Sequence, residues 1–215
     1  MIRWLPLGDS ALTLVFGDAI DPLVHTRILD AARALQARPP RGVTEIVPAY
    51  TTLGVWFNPL ERDAADLAAE LMETVGQSDG RPIGRADDGR EVVIPVRYDG
   101  PDLADVASRL GVSTDDVIQR HTATEYRVYM LGFVPGFAFL GLLDPSLELP
   151  RRSSPRLRVP AGSVGIAGRQ TAVYPLDTPG GWHLLGRTDL RMFDAHGDPP
   201  ALLGVGDRVR FEAIR

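Results

Sequence analysis

The stretch VPAGSVGIAGRQTAVYPLDTPGGWHLLGRT, residues 159–188, is broken by glycine or proline every few positions, and the pieces between the breaks are short and apolar. It belongs to a longer segment of the same character: of the 61 residues from Val128 to Thr188, nine are Gly and seven are Pro, 16 in all. Long helices do not survive that spacing, since Gly costs about 1 kcal/mol and Pro about 3 kcal/mol per helical position. Short strands with tight turns do. Val164–Ile166, Ala172–Tyr174 and His183–Leu185 read as three of them, and a run of such strands closes, or partly closes, into a β-barrel. LLGVGDRVRF, residues 202–211, reads as the closing strand with its Gly-Asp turn.

Towards the N-terminus the pattern alternates. ALTLVF, residues 11–16, is a strand, and Asp21-Pro22 opens a helix with Leu23, Ile28, Ala31, Ala32 and Leu35 on one face until Pro39-Pro40. Val43–Val47 and Leu53–Phe57 are two short strands. Asn58-Pro59 then caps a second helix, with Glu61 in the capping-box position and Leu60, Ala64, Leu67, Ala68, Leu71 and Val75 on its apolar face. This β-α-β-β-α order matches the ferredoxin-like split motif without its last strand, which Glu91–Val96 either supplies or leaves unfilled by starting the next domain. QSDGRPIGRADDG, residues 77–89, is the linker candidate, giving a domain over 1–80, a linker over 81–89 and a domain over 90–215. Asp102–Leu110, stopped by Gly111, and Ser113–Gln119, capped by Ser113 with Asp116 three residues on, form a helical hairpin that delivers His121.

Composition removes many mechanisms. The 215 residues include no cysteine, and all 23 basic residues are arginine. A disulfide framework, a thiolate metal site, a Cys nucleophile, a phosphate-loop lysine, a Schiff base and a biotin attachment site are therefore excluded on this sequence. A net charge of −5 argues against nucleic acid as partner, and no apolar run approaches the roughly 20 residues of a membrane span. Without a signal-peptide pattern in Met1–Gly8, the expected location is the cytoplasm. The sequence has no HExxH and no paired-His spacing, so no tightly bound metal is expected.

Three clusters carry candidate chemistry. In YMLGFVPGFAFLG, residues 129–141, Gly and Pro force turns that present Phe133, Phe137 and Phe139, which suits a binding loop. Arg151, Arg152, Arg156, Arg158 and Arg169 fall within residues 150–170, a span with no acid, and guanidiniums without counter-charge suit an anion site. Arg158 is the one expected to face a ligand; Arg151 and Arg152 are expected to pair with distant acids or to be solvated. The amides of Gly162–Gly168 are candidate anion or oxyanion donors, with Ser163 as a candidate nucleophile. Pro179-Gly-Gly-Trp-His183 and Gly186-Arg187-Thr188 add Trp182, His183 and Arg187. Strand alternation puts Trp182 and His183 on opposite faces. His121 is the other candidate acid or base, whereas His25, His196 and the turn residues Asp177, Asp189, Asp194 and Asp207 are read as structural.

Together YMLGFVPGF (129–137), PRRSSPR (150–156), VPAGSVGIAGRQT (159–171), PGGWHLLGRT (179–188) and, more weakly, LGDSAL (7–12) resemble the family of 5-oxoprolinase B subunits. That family is also called allophanate hydrolase subunit 1 and includes the Bacillus kinase A inhibitor. The sequence departs from it at Ala138-Phe139, where members often carry Pro-Tyr, so a phenolic hydroxyl is lost there. The resemblance implies a ferredoxin-like N-terminal α+β domain followed by a mainly β, cyclophilin-like barrel. It also implies two partners: the C subunit of 5-oxoprolinase, a second barrel protein, and the A subunit, which with the B subunit open 5-oxoproline to glutamate using ATP. ATP is then needed at the level of the complex, and with no nucleotide motif here the site is expected to be shared with or carried by a partner. His121 and Ser163 remain the candidate catalytic groups read from the residues themselves. Phe133, Phe137, Arg158, Gly162, Gln170, Trp182 and Arg187 are expected to bind substrate or anion. Similarity to the carboxyltransferase region of urea carboxylase leaves a carboxyl-transfer alternative, and the kinase A inhibitor leaves a histidine-kinase inhibitor alternative. Amidase-type allophanate hydrolysis resembles a Ser-Ser-Lys mechanism, which a sequence without lysine does not supply.

Overall fold

The computed structural model describes residues 2–77 and 89–215, so the expected linker over 81–89 lies outside the described residues except for Gly89. The chain divides into two compact units, Met1–Asp88 and Gly89–Arg215. Among the described residues no helix is long and apolar enough to cross a membrane.

The first unit runs β1 (Arg3–Pro6), β2 (Ala11–Val15), α1 (Pro22–Ala37), β3 (Val43–Ala49), β4 (Thr52–Phe57) and α2 (Ala64–Gln77). Its antiparallel sheet has the order β1-β2-β4-β3. Leu12 and Leu14 of β2 and Leu53, Val55 and Phe57 of β4 pack against Ile28 and Leu35 of α1 and Leu67 and Leu71 of α2. The edge beside β2, where the split motif lacks a strand, is taken by β1 from upstream, while Glu91–Val96 lies in the second unit. Asp21 caps α1 as its sequence suggests, accepting from the amides of Leu23 at 2.7 Å and Val24 at 3.1 Å. The apolar face differs by one position: Leu23 is 76% exposed, and His25 takes the buried place one turn before Ile28.

The start of α2 is also a correction. Asn58 does not cap it; its side chain accepts from the Leu60 amide and donates to Glu61, closing a local turn that leaves Leu60 94% exposed. Asp63 is the cap, accepting from the Ala65 amide at 2.8 Å.

The second unit runs β5 (Glu91–Arg97), α3 (Leu103–Leu110), α4 (Thr114–Ala123), β6 (Glu125–Leu131), β7 (Ala138–Gly141), β8 (Arg156–Val159), β9 (Ser163–Ala167), β10 (Gln170–Val173), β11 (Thr178–Gly180), β12 (His183–Arg187) and β13 (Arg208–Ile214). Among the described residues seven strands close into a barrel in the order β10-β7-β6-β13-β5-β12-β9, and β8 pairs with β11 as a separate ladder. The closing strand begins at Arg208 rather than Leu202, because the Asp207 carboxylate gathers the amides of Gly204 and Arg90 and the Arg90 guanidinium into a turn. The helical hairpin forms as its caps predict: Gly111 ends α3 in the left-handed region at φ 68°, and Ser113 and Asp116 make a capping box on α4.

Alternation along the strands splits the apolar residues between two clusters. Ile94, Val128, Leu140, Val164, Ile166, Leu185 and Phe211 form the main core with Val106 of α3 and Val117 of α4. Phe137, Tyr174, Trp182, Ala172 and Leu184 form a second cluster with Val159 of β8.

The seam between β12 and β5 is the barrel's shortest, registering at Arg187 and Arg97 alone. Gly186 lies beside it, where an added Cβ would overlap the Arg97 carbonyl oxygen and the Tyr98 backbone. Gly186→Ala is expected to destabilise the barrel by about 1–3 kcal/mol, as overpacking does. A thermal melt lowered by several degrees is the expected reading, and an unchanged Tm would contradict it.

Candidate functional site

Phe137 is the hub of an aromatic wall. Its ring lies 5.4 Å from Phe133, 4.8 Å from Phe139, 5.3 Å from Tyr174 and 5.8 Å from Trp182, mostly edge to face. These rings, with Pro155, Pro179, Gly180 and Gly181, surround a cavity of about 220 Å³ in which Arg151 is the charged residue. The loop between β6 and β7 closes through Gly132 donating to the Phe137 carbonyl and Phe137 donating to that of Val134. Phe133 sits at φ 74°, a left-handed conformation that costs a non-glycine residue about 1–2 kcal/mol, and this turns its ring, 62% exposed, onto Phe137. Gly180 is needed because a Cβ there would overlap the Tyr174 phenol. Phe133, Phe137 and Trp182, singled out in the sequence, are thus brought together. Tyr174 and Arg151 join them without having been expected there, although the two-residue period from Ala172 points Tyr174 to the same face.

The segment that carries Arg151 is pinned by a buried carboxylate. Asp102, 3% exposed at the start of α3, accepts from Arg152 at 2.8 Å, Arg156 at 2.7 Å and the Leu184 amide of β12 at 2.7 Å. Burial alone would raise its pKa, but hydrogen bonds from Arg156 and Leu184 and the charges of Arg156 and Arg152 outweigh that and hold it below the usual carboxylate value. The Arg152 amide also donates to the Gly181 carbonyl at 2.8 Å, tying the segment to the cavity rim.

A second, polar cleft of about 600 Å³ is lined by Arg156, Arg158, Ser163, Arg187, Asp99 and Asp189, among others. Three sequence candidates meet there, apart from the aromatic group. The Arg158 guanidinium forks onto the Asp177 carboxylate, which also accepts from the Ala161 amide at 2.8 Å. That amide and Arg158 lower the Asp177 pKa. Arg187 pairs with Asp99 at 2.9 Å. Ser163 is 7% exposed, and among the described residues no base is hydrogen-bonded to its hydroxyl. The expected anion-holding amides are occupied: Gly162 donates to the Tyr174 carbonyl at 2.7 Å and Ser163 to that of Pro160 at 3.2 Å.

The remaining candidates lie elsewhere. His121, in the last turn of α4, is fully buried, with Nδ1 2.7 Å from the Tyr98 hydroxyl and Nε2 2.9 Å from Thr171 Oγ1. Desolvation lowers its pKa to about 3, so the ring stays neutral inside the barrel core and lines neither cavity. His183, at the start of β12, is buried too, 2.9 Å from the Pro150 carbonyl. Gln170 starts β10 opposite Gly141 and lines neither cavity.

The family model "Carboxyltransferase domain, subdomain C and D" matches residues 2–203, across both units, and places the chain in the carboxyltransferase-domain class. Within that class the chain belongs to the family of 5-oxoprolinase B subunits. It is 42% identical over 228 residues to the 5-oxoprolinase B subunit of Bacillus subtilis (strain 168), covering 97% of this chain and 91% of that protein. It is also 42% identical over 208 residues to the protein of the same name from Escherichia coli O157:H7, covering 95% and 93%. The crystal structure of TTHA0988 matches 95% of the chain at 44% identity with a TM-score of 0.83, and the chain spans 39% of that longer protein. The Kluyveromyces lactis urea carboxylase shares the fold, at a TM-score of 0.78 and 17% identity over 100% of this chain and 22% of that one.

Two outcomes follow from the buried groups. Asp102→Ala strands two guanidiniums and is expected to destabilise the second unit by about 3 kcal/mol, the scale for removing one partner of a buried pair; denaturant unfolding with no loss would contradict this. Acid should weaken the fold in two stages. Below pH about 6.5 the unfolded His121 takes up a proton that the folded ring refuses, so stability falls as pH drops towards 3. The depressed Asp102 pKa adds a loss below the ordinary carboxylate value of about 3.9. Tm measured from pH 8 to 4 should be level above pH 7 and fall below pH 6, and His121→Gln should flatten that fall.

Proposed function

We propose that the chain acts as the B subunit of a multi-subunit, ATP-dependent 5-oxoprolinase, opening the lactam of 5-oxoproline to glutamate together with the A and C subunits. The observation that carries this reading is the near-full-length, 42% identity to proteins named as the B subunit of 5-oxoprolinase. The finer fold names go with it: a ferredoxin-like first unit whose missing strand is supplied by β1, and a cyclophilin-like barrel. A cytoplasmic location and a small-molecule substrate belong to the same reading.

ATP does not fit the residues of this chain. There is no lysine, the Gly162 and Ser163 amides already donate to carbonyls, and Arg158 and Arg187 are neutralised by Asp177 and Asp99. The reading therefore assigns the nucleotide to a partner in the complex. Lactam opening adds water to the amide carbon, breaks the C–N bond and leaves the nitrogen as an amine. This chain contributes binding and water exclusion to that step, through the aromatic wall and Arg151.

The test is ATP-dependent glutamate release from 5-oxoproline by the chain alone and by the chain coexpressed with its candidate A and C subunits. Release from the full set, with none from the chain alone, is the expected result. A verified, intact complex that releases no glutamate would overturn the assignment.

A further inference from the structure

Of the five arginines of residues 150–170, the sequence points to Arg158 as the ligand-facing one, and the structure points instead to Arg151. Arg152 and Arg156 are held by Asp102, Arg158 by Asp177, and Arg169 donates to the Leu143 carbonyl at 3.2 Å. Arg151 is the one of the five with no ion pair or hydrogen bond among the described residues. It is also the one that lines the aromatic cavity. Burial raises the Tyr174 pKa, and the charge of Arg151 is among the groups that oppose it.

The cavity's contents can be narrowed by chemistry. The cavity, about 220 Å³, has room for one small ring. Walls of Phe133, Phe137, Phe139, Tyr174 and Trp182 offer ring faces and edges to a flat or puckered apolar ring. A neutral hydrocarbon leaves Arg151 unused, and a polyanion needs more than one cation and a wetter wall. A single ring with a single carboxylate uses every feature. The rim glycines, Gly180 and Gly181, add no side chain to the wall.

We propose that this cavity is the subsite for a small monocarboxylate ring, with Arg151 taking the carboxylate and Phe137 and Trp182 taking the ring. Naming that ring as 5-oxoproline rests on the proposed function; the ring-carboxylate class does not. Asp102 acts here as a positioning residue, because it fixes the backbone on the C-terminal side of Arg151.

The experiment titrates the full chain, alone and in the complex with the A and C subunits, while following the Trp182 indole by NMR. Three probes are used: 5-oxoproline, cyclopentanecarboxylate, which keeps the acid without the lactam, and 2-pyrrolidone, which keeps the lactam without the acid. Both acids should shift Trp182, and 2-pyrrolidone should bind at least ten-fold more weakly. Arg151→Gln should weaken both acids ten-fold or more and raise KM for 5-oxoproline in the complex by a similar factor with kcat nearly unchanged. Arg151→Lys should recover part of the loss, and Arg109→Gln, a surface control on α3, should change nothing. Turnover with a wild-type KM in Arg151→Gln would overturn the subsite and leave the 5-oxoprolinase reading intact. Arg151-dependent binding of cyclopentanecarboxylate in a wild-type complex that cannot open 5-oxoproline would overturn that reading and support the subsite. No shift of Trp182 by any acid, in the chain or the complex, would overturn the subsite.

Discussion

One buried carboxylate organises the second unit. Asp102 reaches from the start of α3 to the Leu184 amide in β12 and to two arginines of the segment that leads into β8. A carboxylate removed from water is costly unless its oxygens find donors, and here two guanidiniums reach Oδ1 and an amide reaches Oδ2. The barrel, the helical hairpin and the cavity rim are joined at that atom group, so the position of Pro155 and Arg151 depends on it. Phe137 plays the matching apolar part, since four neighbouring rings take their places around it.

Glycine makes the close approaches possible. At Gly180 the Tyr174 phenol occupies the space of a side chain, and at Gly186 the Arg97 carbonyl does. Gly180 lines the aromatic cavity and Gly186 the polar cleft, so the same residues that interrupt the sequence into short strands also allow close packing at both. The cost of Phe133 at positive φ fits this picture: a strained residue is retained where its ring completes a cavity.

Local chemistry is legible in the sequence, and long-range pairing is not. The Gly and Pro spacing of residues 128–188 marks the short strands, the Ser113–Asp116 box marks α4, and the turn bearing Phe133, Phe137 and Phe139 marks one side of the aromatic cavity, to which the distant Trp182 is brought only by the fold. The start of α2 is ambiguous in sequence because Asn58 and Asp63 are both good capping residues, and only the turn closed by Asn58 decides between them. Arg158 looks like the ligand-facing cation because its partner lies 19 residues away, and the partner of Arg152 and Arg156 lies 50 and 54 residues away. No period or motif encodes which of five arginines is left over. His121 stands out as a polar residue at a helix end, but its burial depends on Tyr98 and Thr171 arriving from β5's far end and β10.

The most direct test of the central claim is a crystal structure of the chain with 5-oxoproline bound. The ring is expected in the aromatic cavity against Phe137 and Trp182, with its carboxylate in hydrogen-bond contact with the Arg151 guanidinium and the Asp102 cluster unchanged. A ligand seated instead in the polar cleft beside Arg156 and Arg187, with the aromatic cavity empty, would contradict it.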